Sequence, residues 1–229
     1  TLGFWDDKVA LTLGARAQRV RTRSWNATSL ALSGDYDESA ITPAVGLVVK
    51  PWGPNLALYG NYIEGLSVGT TPGATYANAG EALAPYKTKQ AETGVKWDLG
   101  SYTHTFSLFQ IRKPSAVDEV RSNGTYLVAD GEQRNTGLEW HMFGELSPQV
   151  RVLGGVAYTR AEQSQASNSA NNGRTAPGVP KWTANLGAQW SQPWLSGLVF
   201  DGRATYTSAQ YLDAANKLEI PSWVRNEPN

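Results

Sequence analysis

Trp182–Trp190, with the sequence WTANLGAQW, alternates strictly between two sets of side chains. Trp182, Ala184, Leu186, Ala188 and Trp190 occupy one parity, and Thr183, Asn185, Gly187 and Gln189 occupy the other. Successive side chains of a β-strand point to opposite faces of the sheet, whereas side chains on one face of a helix recur about every 3.6 residues. This stretch therefore predicts a strand with one apolar face and one polar face.

The same alternation recurs along the chain. Clear examples are Val9–Ala17, Gln90–Trp97, Val150–Thr159 and Leu198–Tyr206. Less regular strands are predicted at Ile41–Val49, Asn55–Glu64, Ser101–Ile111 and Tyr126–Phe143, with a stub that starts at Leu218. Phe106, Leu108, Phe109 and Ile111 break the alternation within their strand. With 23 glycines and 10 tyrosines in 229 residues, the sequence predicts an all-β chain of about ten strands.

Aromatic residues close both ends of the apolar parity. Trp182 and Trp190 are eight residues apart, which gives a height of roughly 20 Å at about 3.3 Å per residue and a tilt of about 40°. The apolar band of an outer-membrane barrel is about 25 Å tall, with aromatic girdles at both rims. Polar side chains hold the opposite parity, as a barrel lumen requires: Gln90, Glu92, Lys96, Glu139, Arg151, Asp201 and Arg203. Such parity also fits any sheet with one apolar face.

The connections between the strands alternate in length. The long, polar ones are Thr22–Ala40, Leu66–Tyr86, Lys113–Thr125, Ala161–Val179 and Thr207–Lys217. The short ones are Lys50–Asn55, Asp98–Ser101, Gly144–Gln149 and Ser191–Gly197. Up-and-down pairing then collects all long connections at one end of the sheet, which is typical of extracellular loops and periplasmic turns. The pattern predicts an antiparallel, up-and-down transmembrane β-barrel; the alternative is a soluble β-sandwich or curved sheet.

The composition and the absence of known motifs exclude several classes of function. Lys+Arg and Asp+Glu are both 20, so the net charge is zero and a nucleic-acid partner is not expected. Cysteine is absent, and the two histidines, His104 and His141, are far apart in sequence. Asp35, Asp37 and Glu38 are predicted to be solvated rather than metal-binding. No nucleophile motif or phosphate loop occurs. The sequence therefore predicts no catalytic residues, no metal site and no enzyme.

Five segments resemble, in the same order, the barrel domain of TonB-dependent siderophore receptors of the ferrichrome type and related ferric-siderophore receptors. They are Leu58–Leu66, Leu83–Lys96, Gly131–Trp140, Ala176–Trp182 together with Asn185–Gly187, and Ile220–Trp223. The resemblance covers nearly the whole chain. Each segment alone is moderately specific, and their common order makes the resemblance strong.

The resemblance implies a bacterial outer-membrane location, contact with outer-membrane lipid and transport of ferric siderophores without a cofactor. It also implies energy coupling to TonB through a plug domain, which these residues do not include. The alternative function is a soluble carbohydrate-binding or structural β-sheet protein. Which siderophore is transported does not follow from the sequence.

The chain is also expected to be an internal part of a larger barrel. Residues 1–229 are interpreted as one fragment of the barrel domain, and the fragment alone is not expected to transport. Thr1–Trp5 resembles the tail of an earlier strand. Leu218–Trp223 resembles the start of a last strand, and the polar, proline-containing tail behind it is predicted not to continue a central strand.

Aromatic residues near the long connections are candidates for ligand contact, because a bulky siderophore needs aromatic and polar partners. Tyr76 is the candidate ligand-binding residue. Tyr86 and Tyr126 are better explained as residues of the rim girdle, and Tyr211 lies at or beyond the same rim.

Overall fold

The computed structural model describes residues 1–195 and 197–228. An antiparallel sheet of 11 strands dominates, in the order β1-β2-β3-β4-β5-β6-β7-β8-β9-β10-β13. Its strands are β1 (Leu2–Phe4), β2 (Val9–Trp25), β3 (Leu32–Val49), β4 (Leu56–Ser67), β5 (Tyr86–Asp98), β6 (Tyr102–Arg121), β7 (Gly124–Ser147), β8 (Val150–Gln165), β9 (Trp182–Ser191), β10 (Val199–Thr207) and β13 (Trp223–Pro228). Two short strands, β11 (Gln210–Tyr211) and β12 (Glu219–Ile220), pair separately. A single 3₁₀ turn, Ser169–Asn171, is described.

The sheet has two chemically different faces. We call the face that carries Leu186 the outer face and the face that carries Asn185 the inner face. Large apolar side chains are exposed along the outer face, with Leu13 at 62%, Leu108 at 59% and Leu186 at 56%. A contiguous apolar surface of this kind is not stable against water and is suited to lipid. Within the described residues, no helix combines the length and apolar character needed to cross a membrane.

The up-and-down order predicted from the sequence is confirmed, with β1 at one edge and β13 at the other. In the strand pair β9–β10, Leu186 stands opposite Ala204 and Asn185 stands opposite Thr205. Apolar residues therefore meet apolar residues across the strands, and polar residues meet polar ones. A shift by one residue would place the polar set on the outer face, so the pattern fixes the register.

Two of the five predicted long loops are wrong, because they are paired strands. In place of a loop at Thr22–Ala40, β2 and β3 stay paired until the chain turns at residues 26–31, with one register shift between Ser24 and Trp25. In place of a loop at Lys113–Thr125, β6 runs to Arg121 and β7 begins at Gly124. Backbone ladders hold both polar extensions together. In the β2–β3 extension, cross-strand ion pairs of Arg19 with Asp37 and of Arg23 with Asp35 are added. The other three long connections contain irregular stretches at residues 68–85, 166–181 and 212–218.

The tail after Trp223, which is predicted not to continue a central strand, forms the last strand in the order of the sheet. Residues Trp223–Pro228 form β13, which pairs with β10 from Thr207 to Gly202. The polar side chains do not oppose this pairing, because Arg225 and Glu227 stand opposite Thr205 and Arg203 on the inner face. Pro228 ends the described part of an edge strand, where a missing N–H is tolerated.

Phe109 explains the broken alternation of β6. It lies on the inner face opposite Gly137, and its ring atom Cζ is 2.5 Å from the place that a Cβ on Gly137 would occupy. The missing side chain of Gly137 therefore gives the ring room to lie flat on the neighbouring strand. Tyr59 covers Gly94 in the same way, at 2.7 Å from the equivalent position. Paired glycines allow aromatic rings on a face that is otherwise polar.

Candidate ligand-binding surface

The inner face is a wall of hydrogen-bonded polar groups. The Tyr59 hydroxyl on β4 donates to Oε1 of Glu92 on β5 at 2.7 Å. Nε2 of Gln90 donates to the other carboxylate oxygen of Glu92 at 3.2 Å. On β7, Nε2 of His141 lies 3.3 Å from Oε2 of Glu139. The strand parity predicted the inward positions of Gln90, Glu92 and Glu139. Their polarity suits contact with water, a polar ligand or a second polar domain.

The β4–β5 loop, residues 68–85, is attached to the sheet on both sides. The backbone N–H of Gly69 donates to the hydroxyl of Tyr36 on β3, at 3.0 Å. Farther along, the side chain of Asn78 donates to the carbonyl of Leu127 and accepts from its N–H, at 3.0 and 3.1 Å. Ala77 N–H donates to the Thr125 carbonyl at 2.8 Å. The loop thus bridges from β3 to the hairpin of β6 and β7.

Tyr76 lies in this bridging loop and is half-buried. Its hydroxyl donates to Oδ1 of Asp118 on β6 at 2.9 Å. That hydrogen bond to a carboxylate, followed by desolvation, raises the pKa of Tyr76. The phenol is therefore neutral near pH 7, and its proton is already engaged. A ligand would meet the ring face of Tyr76 or a lone pair of its oxygen.

The other tyrosines do not converge on Tyr76. The hydroxyl of Tyr86 donates to Oγ1 of Thr70 at 2.9 Å, which places it at the root of the β4–β5 loop. Tyr126 accepts from Nδ2 of Asn123 at 2.8 Å and lies under the Arg121 guanidinium, 4.2 Å from the ring centre. Tyr211 is in β11. Tyr126 is part of the β6–β7 hairpin and Tyr76 contacts that hairpin, whereas Tyr211 lies in the segment after β10.

A second loop cluster joins the segment after β8 to the segment after β10. Asn216 accepts from the Thr175 N–H and donates to the Thr175 carbonyl, both at 2.9 Å. Nε2 of Gln163 donates to the carbonyls of Thr175 and Ala214 at 3.1 and 2.9 Å. The pairing encloses Ala176, which is 0% exposed. These contacts hold the two loops together as one body.

Asp213 orders the second of these loops from within. Its Oδ1 accepts from the N–H groups of Leu218 and Lys217 at 2.7 and 2.9 Å. The hydrogen bond from Leu218, with further support from Lys217, lowers the pKa of Asp213. Sequence reasoning did not single out Gln163, Asp213 or Asn216. For Asp213 and Asn216, the sequence offered one indication, because Asp and Asn side chains in loops often form hydrogen bonds with nearby backbone groups.

Within residues 1–195 and 197–228, no group of three or more acidic or histidine side chains is arranged to hold a metal ion. Asp35 and Asp37 face arginines instead, with Arg19 2.5 Å from Asp37 and Arg23 3.4 Å from Asp35. At the loop end of the sheet, the described residues therefore offer a ligand hydrogen-bonding and aromatic groups.

A family model described as "TonB dependent receptor-like, beta-barrel" matches residues 1–226. The chain belongs to the TonB-dependent receptor family. This receptor chain is 35% identical over 232 residues to the ferrichrome receptor FcuA of Yersinia enterocolitica, across 98% of the chain and 30% of FcuA. It is 28% identical over 221 residues to the ferrichrome outer membrane transporter/phage receptor of Escherichia coli K12. That match covers 95% of the receptor chain and 28% of the relative.

Solved receptor structures share the fold. The ferric preacinetobactin receptor BauA of Acinetobacter baumannii superposes with a TM-score of 0.86 and 41% identity, over 99% of the receptor chain and 34% of BauA. The siderophore receptor PiuA of the same species gives a TM-score of 0.78 at 23% identity, which supports the fold alone. The receptor chain spans about 30% of the length of the curated relatives it matches.

The family membership settles several predictions. Members of this family are receptors of the bacterial outer membrane, so the predicted family and location are confirmed. The all-β, up-and-down architecture of a partial barrel is confirmed as well. A soluble carbohydrate-binding or structural sheet has no support. The interpretation of residues 1–229 as one barrel fragment, and the assignment of Tyr76, stay predictions.

Proposed function

We propose that this chain forms part of the barrel wall of a receptor that imports ferric siderophores across the outer membrane. The observation that carries the proposal is similarity along almost the whole chain to receptors for ferrichrome and ferric preacinetobactin, at 35% and 41% identity. The polar inner face, with Tyr59, Glu92 and Glu139 pointing inward, suits a lumen that holds polar partners. The ferric siderophore is the transported ligand, and the chain needs no cofactor.

The energy for transport comes from TonB in this proposal, through a plug domain that residues 1–229 do not include. The inner wall is the surface that such a plug would touch. Its carboxylates and amides at Glu92, Gln90 and Glu139 give the plug hydrogen-bonding partners. On the loop side, the bridging β4–β5 loop and the body formed by the other two loops provide the ligand-facing surface, with Tyr76 as the proposed contact.

Growth of a receptor-deleted strain tests the proposal. The full-length protein should restore growth and radioactive iron uptake on at least one ferric siderophore from a panel of hydroxamates, catecholates and mixed ligands. Uptake should vanish when TonB is also deleted. Restoration that persists without TonB would contradict energy coupling, and a failure on every ferric siderophore would contradict the substrate class.

A further inference from the structure

The chain contains two Asn–Gly sequences, Asn123–Gly124 and Asn172–Gly173, and both lie at the loop end of the sheet. At such a sequence, the backbone nitrogen of glycine can attack the side-chain carboxamide of asparagine, because glycine has no side chain to block the approach. Both asparagines are exposed, so access of solvent does not distinguish them. The hydrogen bonds around the two sequences differ, and they decide where this reaction proceeds.

Backbone hydrogen bonds hold both reacting groups of the Asn172–Gly173 sequence. The carboxamide oxygen of Asn172 accepts from the N–H of Ala166 at 2.8 Å. The nitrogen that would attack, that of Gly173, donates its proton to the carbonyl of Gln163 at 2.9 Å. Attack requires the loss of that proton and of that hydrogen bond, which leaves the Gln163 carbonyl without this donor. The structure therefore opposes cyclisation at Asn172.

Asn123 lies in the tight turn between β6 and β7. Because β6 ends at Arg121 and β7 begins at Gly124, the turn consists of Ser122 and Asn123 alone. Gly124 has a φ of +140°, a conformation that favours glycine. Nδ2 of Asn123 donates to the hydroxyl of Tyr126 at 2.8 Å, which is the only hydrogen bond of this side chain among the described residues. The carbonyl of the carboxamide is therefore open to attack.

The hydroxyl of Tyr126 is placed to act as a general acid on the leaving group. A candidate acid must lie within about 2.6–3.2 Å of the atom that it protonates, and Nδ2 of Asn123 is 2.8 Å from this oxygen. In the starting amide, Nδ2 donates and the phenol oxygen accepts. Once the carboxamide carbon has been attacked, Nδ2 becomes a basic amine and the proton moves in the other direction. The guanidinium of Arg121 lies 4.2 Å from the centre of the Tyr126 ring, where its positive charge offsets the negative charge that the oxygen gains.

We propose that Asn123 deamidates by an intramolecular reaction in which Tyr126 is the general acid. The nitrogen of Gly124 gives its proton to water and forms a bond to Cγ of Asn123. The bond from Cγ to Nδ2 then breaks, Tyr126 protonates Nδ2, and ammonia leaves. Tyr126 takes back a proton from water, and another water molecule opens the cyclic imide. Opening at the side-chain carbonyl gives aspartate, and opening at the backbone carbonyl gives isoaspartate.

Deamidation at this turn changes a contact that holds the β4–β5 loop. The N–H of Ala77 in the loop donates to the carbonyl of Thr125, next to the modified sequence, at 2.8 Å. A Cβ at Gly124 would lie 3.1 Å from Cβ of Ala77, so the loop packs closely against the turn. Isoaspartate lengthens the backbone of the turn by one carbon atom and therefore shifts Thr125. The reaction loosens the loop that carries Tyr76, whichever ligand the receptor imports.

Incubation of the purified full-length receptor in detergent at mildly alkaline pH tests the proposal. Peptide mapping by mass spectrometry, with fragmentation that separates aspartate from isoaspartate, follows both asparagines in one sample. Asn123 should deamidate about tenfold faster than Asn172 in the folded receptor, and at a similar rate in urea. Y126F should slow the reaction at Asn123 about tenfold, whereas the matched control Y86F should leave it unchanged. Equal rates at the two asparagines of the folded receptor, or an unchanged rate in Y126F, would overturn the proposal.

Hydrogen exchange in the same samples tests the consequence for the loop. The N–H of Ala77 should exchange severalfold faster in receptor that contains isoaspartate than in unmodified receptor, because its acceptor has moved. N123D supplies the aspartate product alone and should keep the protection of Ala77, since the backbone of the turn has its normal length. Unchanged exchange at Ala77 in the isoaspartate form would disprove the link between the turn and the loop. The comparison of the two asparagines in the parent receptor does not depend on how a variant folds.

Discussion

The cations of β5, β6 and β7 (Lys89, Arg112 and Arg134) and the arginines of β2 lie on the same outer face in opposite arrangements. Arg21 and Arg23 of β2 stand opposite Asp37 and Asp35 of β3, so each cation meets a carboxylate across the strands. Lys89, Arg112 and Arg134 stand opposite one another. The β2–β3 extension is complete in itself and can leave the membrane as a paired hairpin. Of these three cations, only Arg134 has a carboxylate partner among the described residues, Glu132 at 3.2 Å.

A cation in the middle of the apolar surface is a third situation, and it should have the largest effect. Leu186→Arg places a charge where neither a carboxylate nor a lipid phosphate is within reach, which should lower the free energy of unfolding by about 2–4 kcal/mol. Asn185→Arg, one residue away on the inner face, should cost much less. Unfolding by denaturant in lipid vesicles measures both. Equal losses would remove the distinction between the faces.

Removal of the aspartates should leave the β2 arginines without carboxylate partners across the strands. In D35N/D37N, the ion pairs of Arg19 and Arg23 with Asp37 and Asp35 are lost, while strand pairing remains. We expect the free energy of unfolding to fall by about 1 kcal/mol or less, because exposed ion pairs contribute little, and so by less than in Leu186→Arg. Denaturant unfolding in lipid vesicles measures this change. A loss as large as that of Leu186→Arg would show that the ion pairs, and not the backbone ladder, hold the two strands together.

Asp213 shows a third way to satisfy a charge, through backbone N–H groups alone, and predicts a modest pH effect. Its pKa is lower in the folded loop than in the unfolded chain, so the contribution to stability is present above the unfolded value of about 3.9. It is lost as the pH falls below that value and through the folded pKa. Hydrogen exchange at Lys217 and Leu218 should therefore lose protection as the pH falls below about 4. Asp213→Asn should abolish this pH dependence, and a persistent dependence would point to another group.

The hydroxyl of Tyr76 is already bonded to Asp118, so its oxygen should contribute less to ligand binding than its ring. If the ring contacts the siderophore, Tyr76→Ala should weaken ligand binding about tenfold and Tyr76→Phe only a few-fold. Tyr86→Phe, at the root of the same loop, is the matched control and should bind normally. Titration of the full-length receptor with its ferric siderophore provides the measurement. Unchanged affinity in Tyr76→Ala would remove Tyr76 from the contact surface.

The sequence predicted the strands that carry alternating polarity, because that period is a direct consequence of the pleat. The prediction of strands failed where neither of the two alternating sets of side chains is apolar. The β2–β3 extension alternates in charge and hydroxyl groups, with Arg21 opposite Asp37, so polarity alone suggested a loop. The ring of Phe109 required knowledge that Gly137 lies opposite, and that register is a property of the assembled sheet.

The loop surface was the least predictable part for a related reason. Tyr76 was selected by residue type, but its partner Asp118 lies 42 residues away. Asn216 joins Thr175 across a separation of 41 residues. Neither pairing leaves a pattern within a short window of sequence. Family resemblance predicted the location and the class of the protein, yet it carried no information on these contacts.

The hairpin of β2 and β3 has a mechanical consequence. From Arg19 to Trp25 it continues for six residues beyond the apolar surface, or about 20 Å along the strand. A flexible loop of that length would sweep the space around it, whereas backbone ladders fix the position of each residue. At the tip, Asn26 accepts from the N–H groups of Thr28 and Ser29, both at 2.9 Å. The hairpin therefore behaves as a fixed wall, and it limits the size of approaching molecules by shape instead of by motion.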